Sequence, residues 1–168
     1  MAHPPAHSQR LSRPVRCAVI TVSDTRTVES DRSGQIIQTL LNQAGHRVHD
    51  YRIVPDEPSQ IGPLCQTLAQ EAEVDGIILT GGTGIAPRDT TYDAIAALLE
   101  KTLPGFGELF RQLSFQEIGS RAMASRAVAG VLGSTLIFSL PGSSNAVTLA
   151  MEALILPELP HLVSQLRG

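Results

Sequence analysis

The sequence predicts an α/β fold: a three-layer α/β/α sandwich around a mostly parallel five-stranded sheet with one antiparallel strand. Three observations carry this. Short β-prone apolar runs alternate with segments whose apolar residues recur at helical spacing, in the order β-α-β-α-β. Several of the runs are continuously aliphatic, as strands buried on both faces are. Near the C-terminal end, two runs are separated only by Gly133-Ser134, a link that permits a hairpin but not a parallel crossover, so one strand must run against its neighbour.

The elements follow in chain order. Cys17 to Ser23, CAVITVS, is the first strand and breaks at Asp24 into a polar loop. Asp31 or Ser33 can cap a helix carrying Ile36, Ile37, Leu40, Leu41 and Ala44 on one face, which Gly45 ends. Val48 to Val54 alternates in polarity and reads as an edge strand, closed by Pro55. Ile61, Leu64, Cys65, Leu68, Ala69 and Ala72 mark a second helix, and Gly76 to Thr80, GIILT, a third strand. Thr91 to Leu99 is helical, with Thr90 or Thr91 as cap and Asp93 in the first turn, where the helix dipole favours an acid. Phe106 to Gln116 is a further amphipathic helix, followed by strands Ala127 to Leu132 and Thr135 to Leu140. Pro141 to Ser144 then leads into a helix through Leu154, and Pro157 opens a last short one.

Composition narrows the function classes. An apolar content of 42% in 168 residues suits one core, and 4% aromatics without Trp make that core aliphatic. The expected organisation is a disordered N-terminal tail over 1–14, free of any secretory apolar region, and a single domain over 15–168. A net charge of −3 with no Lys/Arg run argues against nucleic acid as partner. The apolar runs are shorter than a bilayer span, so no membrane role is expected and the protein is read as cytoplasmic. Cys17 and Cys65 lack CxxC spacing and read as buried small hydrophobes, and the His residues lack metal-ligand spacing.

The chemistry points to one pole of the sheet. In open α/β sheets ligands bind outside the carboxyl ends of the strands. Four polar loops fall there: Ser23-Asp24-Thr25-Arg26, Pro55-Asp56-Glu57, Thr80 to Asp89 (TGGTGIAPRD) and Pro141 to Asn145. Gly81, Gly82, Thr83 and Gly84 form either a tight strand-to-helix turn or a cradle of backbone N–H groups for an anion. The segment ends in Arg88-Asp89 and matches neither a Walker A nor a GxGxxG pattern. Asp56 and Asp89 each either cap a helix or, as a pair beside bound phosphates, hold Mg²⁺. Pro141, Gly142, Ser143 and Ser144 offer hydroxyls and amides at a helix N-terminus, as a cap or as an anion site. Asp24 and Arg26 can equally form a surface ion pair. No Ser-His-Asp or Cys-His set assembles.

These same residues resemble a known family. VSDTR with DRSG, IVPDE, LTGGTGIAPRDTT, PGFGELFRQLSFQEIGSRAMASRAVAG and TLIFSLPGS occur in the order found in the MoaB/MogA proteins of molybdenum cofactor biosynthesis, related to the gephyrin G domain and plant Cnx proteins. The resemblance runs from about Val15 to the C-terminus, and the FGELFR to SRAVAG block looks like the MoaB branch. It implies binding of molybdopterin and ATP, with adenylylation of the pterin phosphate by Mg-ATP. A non-catalytic molybdopterin-binding or delivery protein is the alternative. By position, Asp56 and Asp89 match the functional aspartates of the active branch, and they are the expected Mg²⁺ ligands. Gly81 to Gly84 and Ser143-Ser144 match its phosphate- and pterin-contacting loops, and Ser23, Asp24, Thr80, Arg88, Pro141 and Gly142 around them are expected to help bind substrate and nucleotide. Many relatives carry Lys where this chain has Asn145. The resemblance also implies a homotrimer or homohexamer.

Overall fold

Residues 11–167 are described by the computed structural model of the chain. The aliphatic runs become the sheet's interior strands, β1 (Arg16–Val22), β3 (Gly76–Thr80) and β6 (Thr135–Leu140), with nearly every residue buried. The alternating run becomes β2 (Arg47–Val54) and lies at an edge. Among the described residues the sheet has six strands in the order β2-β1-β3-β6-β5-β4. Strands β1, β2, β3 and β6 are parallel, and β5 (Val128–Leu132) is antiparallel to β6 across the two-residue link. The strand the sequence did not yield is β4, only Lys101–Thr102, which pairs antiparallel to β5. Two exposed residues carry no periodicity to read, so the expected five strands become six.

Helices cover both faces. On one side α1 (Arg32–Gln43), α4 (Pro104–Ile118) and the C-terminal helix enclose a core that includes Val19, Ile37, Leu41, Phe110, Phe138 and Met151. On the other, α2 (Pro58–Gln70) and α3 (Thr91–Leu98) enclose Ile20, Ile61, Leu68, Ile77, Leu79 and Ile95. Cys17 and Cys65 are free and fully packed into these cores, and burial pushes both thiols up to about 12, so neither is a nucleophile at neutral pH.

The C-terminal helix corrects one expectation. A break before Pro157 does not occur: α5 (Ser144–Ala150) runs through a π-turn (Met151–Ile155) directly into α6 (Leu156–Arg167). The widened turn lets the Leu156 N–H reach Met151 O and makes room for a proline, which lacks an N–H and crowds the preceding turn. This 24-residue helix is long and apolar enough to cross a membrane by length and composition. Its stripe of Val147, Ala150, Met151, Ile155, Leu159 and Val163 is nevertheless fully buried against the sheet, which makes it a core helix. Between Leu154 and Leu166 that stripe supplies Ile155, Leu159 and Val163 to the core.

Of the stretch read as a tail, residues 1–10 lie outside the described residues. Residues 11–14 are engaged: Leu11 packs on the core and Arg13 donates to both carboxylate oxygens of Asp75 at 2.7 and 2.9 Å. The reason is electrostatic. Asp75 is fully buried just before β3, and a buried carboxylate requires partners. It finds Arg13, the Arg16 N–H at 2.8 Å and the Arg167 Nε at 3.1 Å, which ties both ends of the described chain to the N-terminal pole of the sheet.

Candidate functional site

The parallel strands β1, β2, β3 and β6 end at one pole, and the four polar loops meet there. Gly81 follows β3 directly. Its N–H donates to Leu140 O at the end of β6 (3.0 Å), and Thr80 Oγ1 donates to Pro141 O (3.0 Å). Gly81 has φ +102°, and a Cβ there would meet the Val22 carbonyl at the end of β1. Three strand ends thus converge on a residue that must be glycine. Gly142 packs against Gly81, and its carbonyl accepts from Ser33 Oγ at 2.8 Å. Ser143 caps α5, accepting from the Ala146 N–H at 3.2 Å, with Ser144 opening the helix beside it.

Asp31 does more than cap α1. Besides the Gly34 N–H at 2.9 Å it accepts from Thr21 Oγ1 at 2.6 Å and Tyr51 Oη at 2.5 Å, tying β1 and β2 to the start of the helix. Burial, then the Asp31 contact, raises the Tyr51 hydroxyl far above its ordinary range, so it stays a donor. A polar hollow of about 190 Å³ opens over this network, lined by Thr21, Ser23, Asp31, Ser33, Gly81 and Gly142.

Asp56 is buried, and neither of the two roles weighed for it alone describes its contacts. Its carboxylate accepts from Thr90 Oγ1 (2.7 Å), Thr91 Oγ1 (3.0 Å) and the Thr90 N–H (3.3 Å), so it secures the N-terminus of α3 from a distant loop. It also abuts Gly82, whose φ of +67° and missing Cβ allow the approach. Asp89 is half-buried; its N–H donates to Ala86 O at 2.9 Å, while its carboxylate has no hydrogen-bond partner among the described residues and lies against Gly84. Asp89 belongs to a second cavity of about 490 Å³, walled by Pro58, Ile85, Pro87 and Ala94 and flanked by Asp93 and Arg126.

Arg88 stands apart from its expected role. Its Nε and Nη2 fork both oxygens of Asp24 at 2.8 Å, and Nη1 reaches Glu57 at 2.8 Å. Those bonds hold the guanidinium charged and, with the Asp56 N–H, depress the Asp24 carboxyl below its usual range. A phosphate therefore competes with two carboxylates for Arg88, whose present work is to join three loops. Asp24 pairs with Arg88 rather than with Arg26, which donates to Ser30 O at 2.9 Å.

What suits the loop to an anion is its free amides. Among the described residues the N–H groups of Gly82, Thr83, Gly84 and Ile85 donate to no acceptor of the chain. Consecutive unpaired amides are an anion-binding arrangement. The described residues contain no cluster of three His, Cys, Asp or Glu able to cage a metal. Mg²⁺ held by one or two carboxylates plus substrate phosphates needs no such cluster, and the free carboxylate of Asp89 beside the amides fits that mode.

Sequence reasoning missed Arg126. Its Nε and Nη2 donate to the carbonyls of Thr83 and Gly84 (both 2.9 Å), its Nη1 and Nη2 reach Asp93 (both 3.1 Å), and it lies 4.5 Å from the Tyr92 ring centroid. The signal was present. A strand antiparallel to the rest begins where the others end, so the residues just before β5 fall at the loop pole.

Comparison with known proteins gives a consistent result. The family model described as a probable molybdopterin binding domain matches residues 18–161. Molybdenum cofactor biosynthesis protein B of Halalkalibacterium halodurans is 52% identical over 161 residues, covering 95% of each chain. A crystal structure of molybdenum cofactor biosynthesis protein B superposes with a TM-score of 0.91 at 49% identity, over 94% of this chain and 99% of that one. The tungsten cofactor synthesizing protein MoaB from Pyrococcus furiosus follows at 0.83 and 34%, over 94% and 100%.

Proposed function

This chain belongs to the molybdopterin-binding-domain family, among its molybdenum cofactor biosynthesis proteins, and we propose that it binds molybdopterin and adenylylates it with Mg-ATP. The observation that carries the reading is the row of unpaired amides from Gly82 to Ile85 beside the free carboxylate of Asp89.

In this reaction an oxygen of the pterin's terminal phosphate forms a bond to the α-phosphorus of ATP. The bond from that phosphorus to the bridging oxygen breaks, and pyrophosphate leaves with the electron pair. The nucleophile is already an anion, so no activated Ser, Cys or His is required. The absence of a triad from the sequence suits that chemistry. What the site must supply is positioning and relief of charge where two phosphates meet. The amides of Gly82 to Ile85 face that charge without rearrangement, while Asp56 fixes the helix start on which they lean. Asp89, with Asp56 close to Gly82, would hold Mg²⁺, which would supply charge neutralisation and alignment of the phosphate oxygens. The polar hollow over Asp31 and the larger cavity at Ile85 provide room for two ligands on one loop.

We read the protein as cytoplasmic, a compartment that suits two unpaired buried thiols. We also read it as a homotrimer or homohexamer. Leu109, Phe115, Ile118 and Met123, on α4 and the 3₁₀ turn after it, are 50%, 61%, 50% and 86% exposed, an apolar surface suited to contact between copies.

Adenylyl transfer to molybdopterin, followed against Mg²⁺ concentration in wild type and Asp89→Asn, tests the reading and its key residue together. The variant is expected to lose about 100-fold or more in rate and to need more Mg²⁺, as removal of a group that organises transition-state charge does. No transfer by wild type would defeat the reading, and an unchanged Mg²⁺ dependence in Asp89→Asn would remove Asp89 from the metal site.

A further inference from the structure

We infer that Arg126 is the positioning residue that aims the anion-binding amides of the glycine loop, an inference that rests on the adenylylation reading for its purpose but not for its test. Three glycines in four residues leave Gly81 to Gly84 with far more conformational freedom than an ordinary loop. A loop of that kind binds an anion tightly only if something else fixes it beforehand. The first half is fixed from β6 and from the start of α3: Gly81 is bonded to Leu140 O, and the Gly82 carbonyl accepts from the Thr91 N–H at 3.1 Å. The second half has no strand beside it. There the guanidinium of Arg126 takes the carbonyls of Thr83 and Gly84, each at 2.9 Å.

The geometry of the peptide unit turns that grip into function. In a trans peptide the C=O and the following N–H point in opposite directions. Drawing the Thr83 carbonyl to Arg126 therefore turns the Gly84 N–H away from it, and drawing the Gly84 carbonyl does the same to the Ile85 N–H. These are two of the amides that find no acceptor in the chain. Arg126 thus orients both donors from behind the loop, without touching the anion they face.

The guanidinium is itself held on its remaining sides. Asp93, at the start of α3, takes Nη1 and Nη2, and the Tyr92 ring lies against its face. Only a planar fork with several fixed donors can meet two successive carbonyls and a carboxylate at once; a lysine ammonium reaches one or two of them from a flexible stem. The work therefore belongs to the shape of arginine rather than to its charge.

The test uses Arg126→Lys, Arg126→Ala and the control Asp93→Asn in the full chain. Backbone ¹⁵N relaxation of Gly84 and Ile85 is measured without ligand, inorganic pyrophosphate is titrated, and thermal midpoints are compared. Both Arg126 variants are expected to lower the order parameters of Gly84 and Ile85 and to weaken pyrophosphate about tenfold or more, as loss of charge-assisted bonds to the loop implies. Asp93→Asn should keep the loop ordered and the affinity within about threefold, because the contacts to the carbonyls survive. If Arg126→Lys keeps wild-type loop order, or binds pyrophosphate as wild type does, Arg126 acts as a charge or not at all, and the inference fails. If wild type does not bind pyrophosphate, the adenylylation reading fails, while loop order in the free protein still decides the role of Arg126.

Discussion

Gly82→Ala is expected to destroy the site and to cost the fold about 2–4 kcal/mol, combining a strained left-handed backbone with a collision in a packed place. Gly82 has φ +67°, and a Cβ there would run into Thr91 Oγ1 and Asp56 Oδ2. Neither obstacle is the free end of a flexible chain. Asp56 is held by Thr90 and Thr91, and Thr91 is fully buried at the start of α3. Relief must therefore come from displacing the loop or the helix start, and either movement misplaces the amides. Ligand binding should fall below detection, and the thermal midpoint should drop by roughly 5–15 °C, at the ~2–4 °C per kcal/mol usual for a chain of this size. A Gly82→Ala protein with wild-type affinity for ATP would show that the loop's shape is not what binds.

Asp75→Asn should be nearly as damaging to stability and harmless to ligand binding. Asp75 sits at the opposite pole of the sheet and is fully buried beneath Arg13, Arg16 and Arg167. Arg16 also donates outward to Glu73 and to Ala72 O, and Arg167 to Val74 O, so the cluster fastens the segment leading into β3. An amide of the same size cannot accept from three guanidinium groups, and its own N–H atoms would face them. Removing one partner of a fully buried ion pair costs about 3–5 kcal/mol, but these arginines reach solvent and can rehydrate, so about 2–3 kcal/mol is expected. The pH dependence follows from the same contacts. Burial alone would raise the Asp75 carboxyl, but the arginine bonds outweigh it and hold the group at about 2 against an unperturbed 3.8. A carboxyl depressed in the folded state stabilises fully above its unfolded value, and that stabilisation is lost as pH falls through the folded one. Wild type and Asp75→Asn should therefore differ in urea midpoint at pH 7 and converge as pH falls from about 4 towards 2. A constant gap across that range would mean that the damage is steric, not electrostatic.

The parts of this molecule that sequence made readable are those governed by local physics. GIILT is a buried strand because no polar face interrupts it, and the alternation from Val48 to Val54 placed β2 at an edge. The two-residue link after Leu132 required the antiparallel β5. Tertiary context decided the rest. Lys101–Thr102 is a strand only because β5 offers it a partner, and Pro157 is tolerated because a π-turn widens the helix ahead of it. The site divides in the same way. Glycines, aspartates and strand ends are visible in the chain, so Asp56, Asp89 and the Gly81 to Gly84 loop could be singled out. Their partners could not. Nothing local says that Asp56 caps a helix more than thirty residues later, that Arg88 spends its fork on Asp24 and Glu57, or that Arg126 grips the loop from forty residues away. Only the antiparallel sense of β5 pointed at Arg126.

Release of pyrophosphate from Mg-ATP by the purified protein, measured with and without molybdopterin, separates adenylylation from mere binding. Release is expected to require the pterin, to proceed one for one with adenylylated product and to collapse in Asp89→Asn. Molybdopterin binding without any pterin-dependent release would contradict adenylylation and leave a protein that holds or delivers the pterin on the same loop.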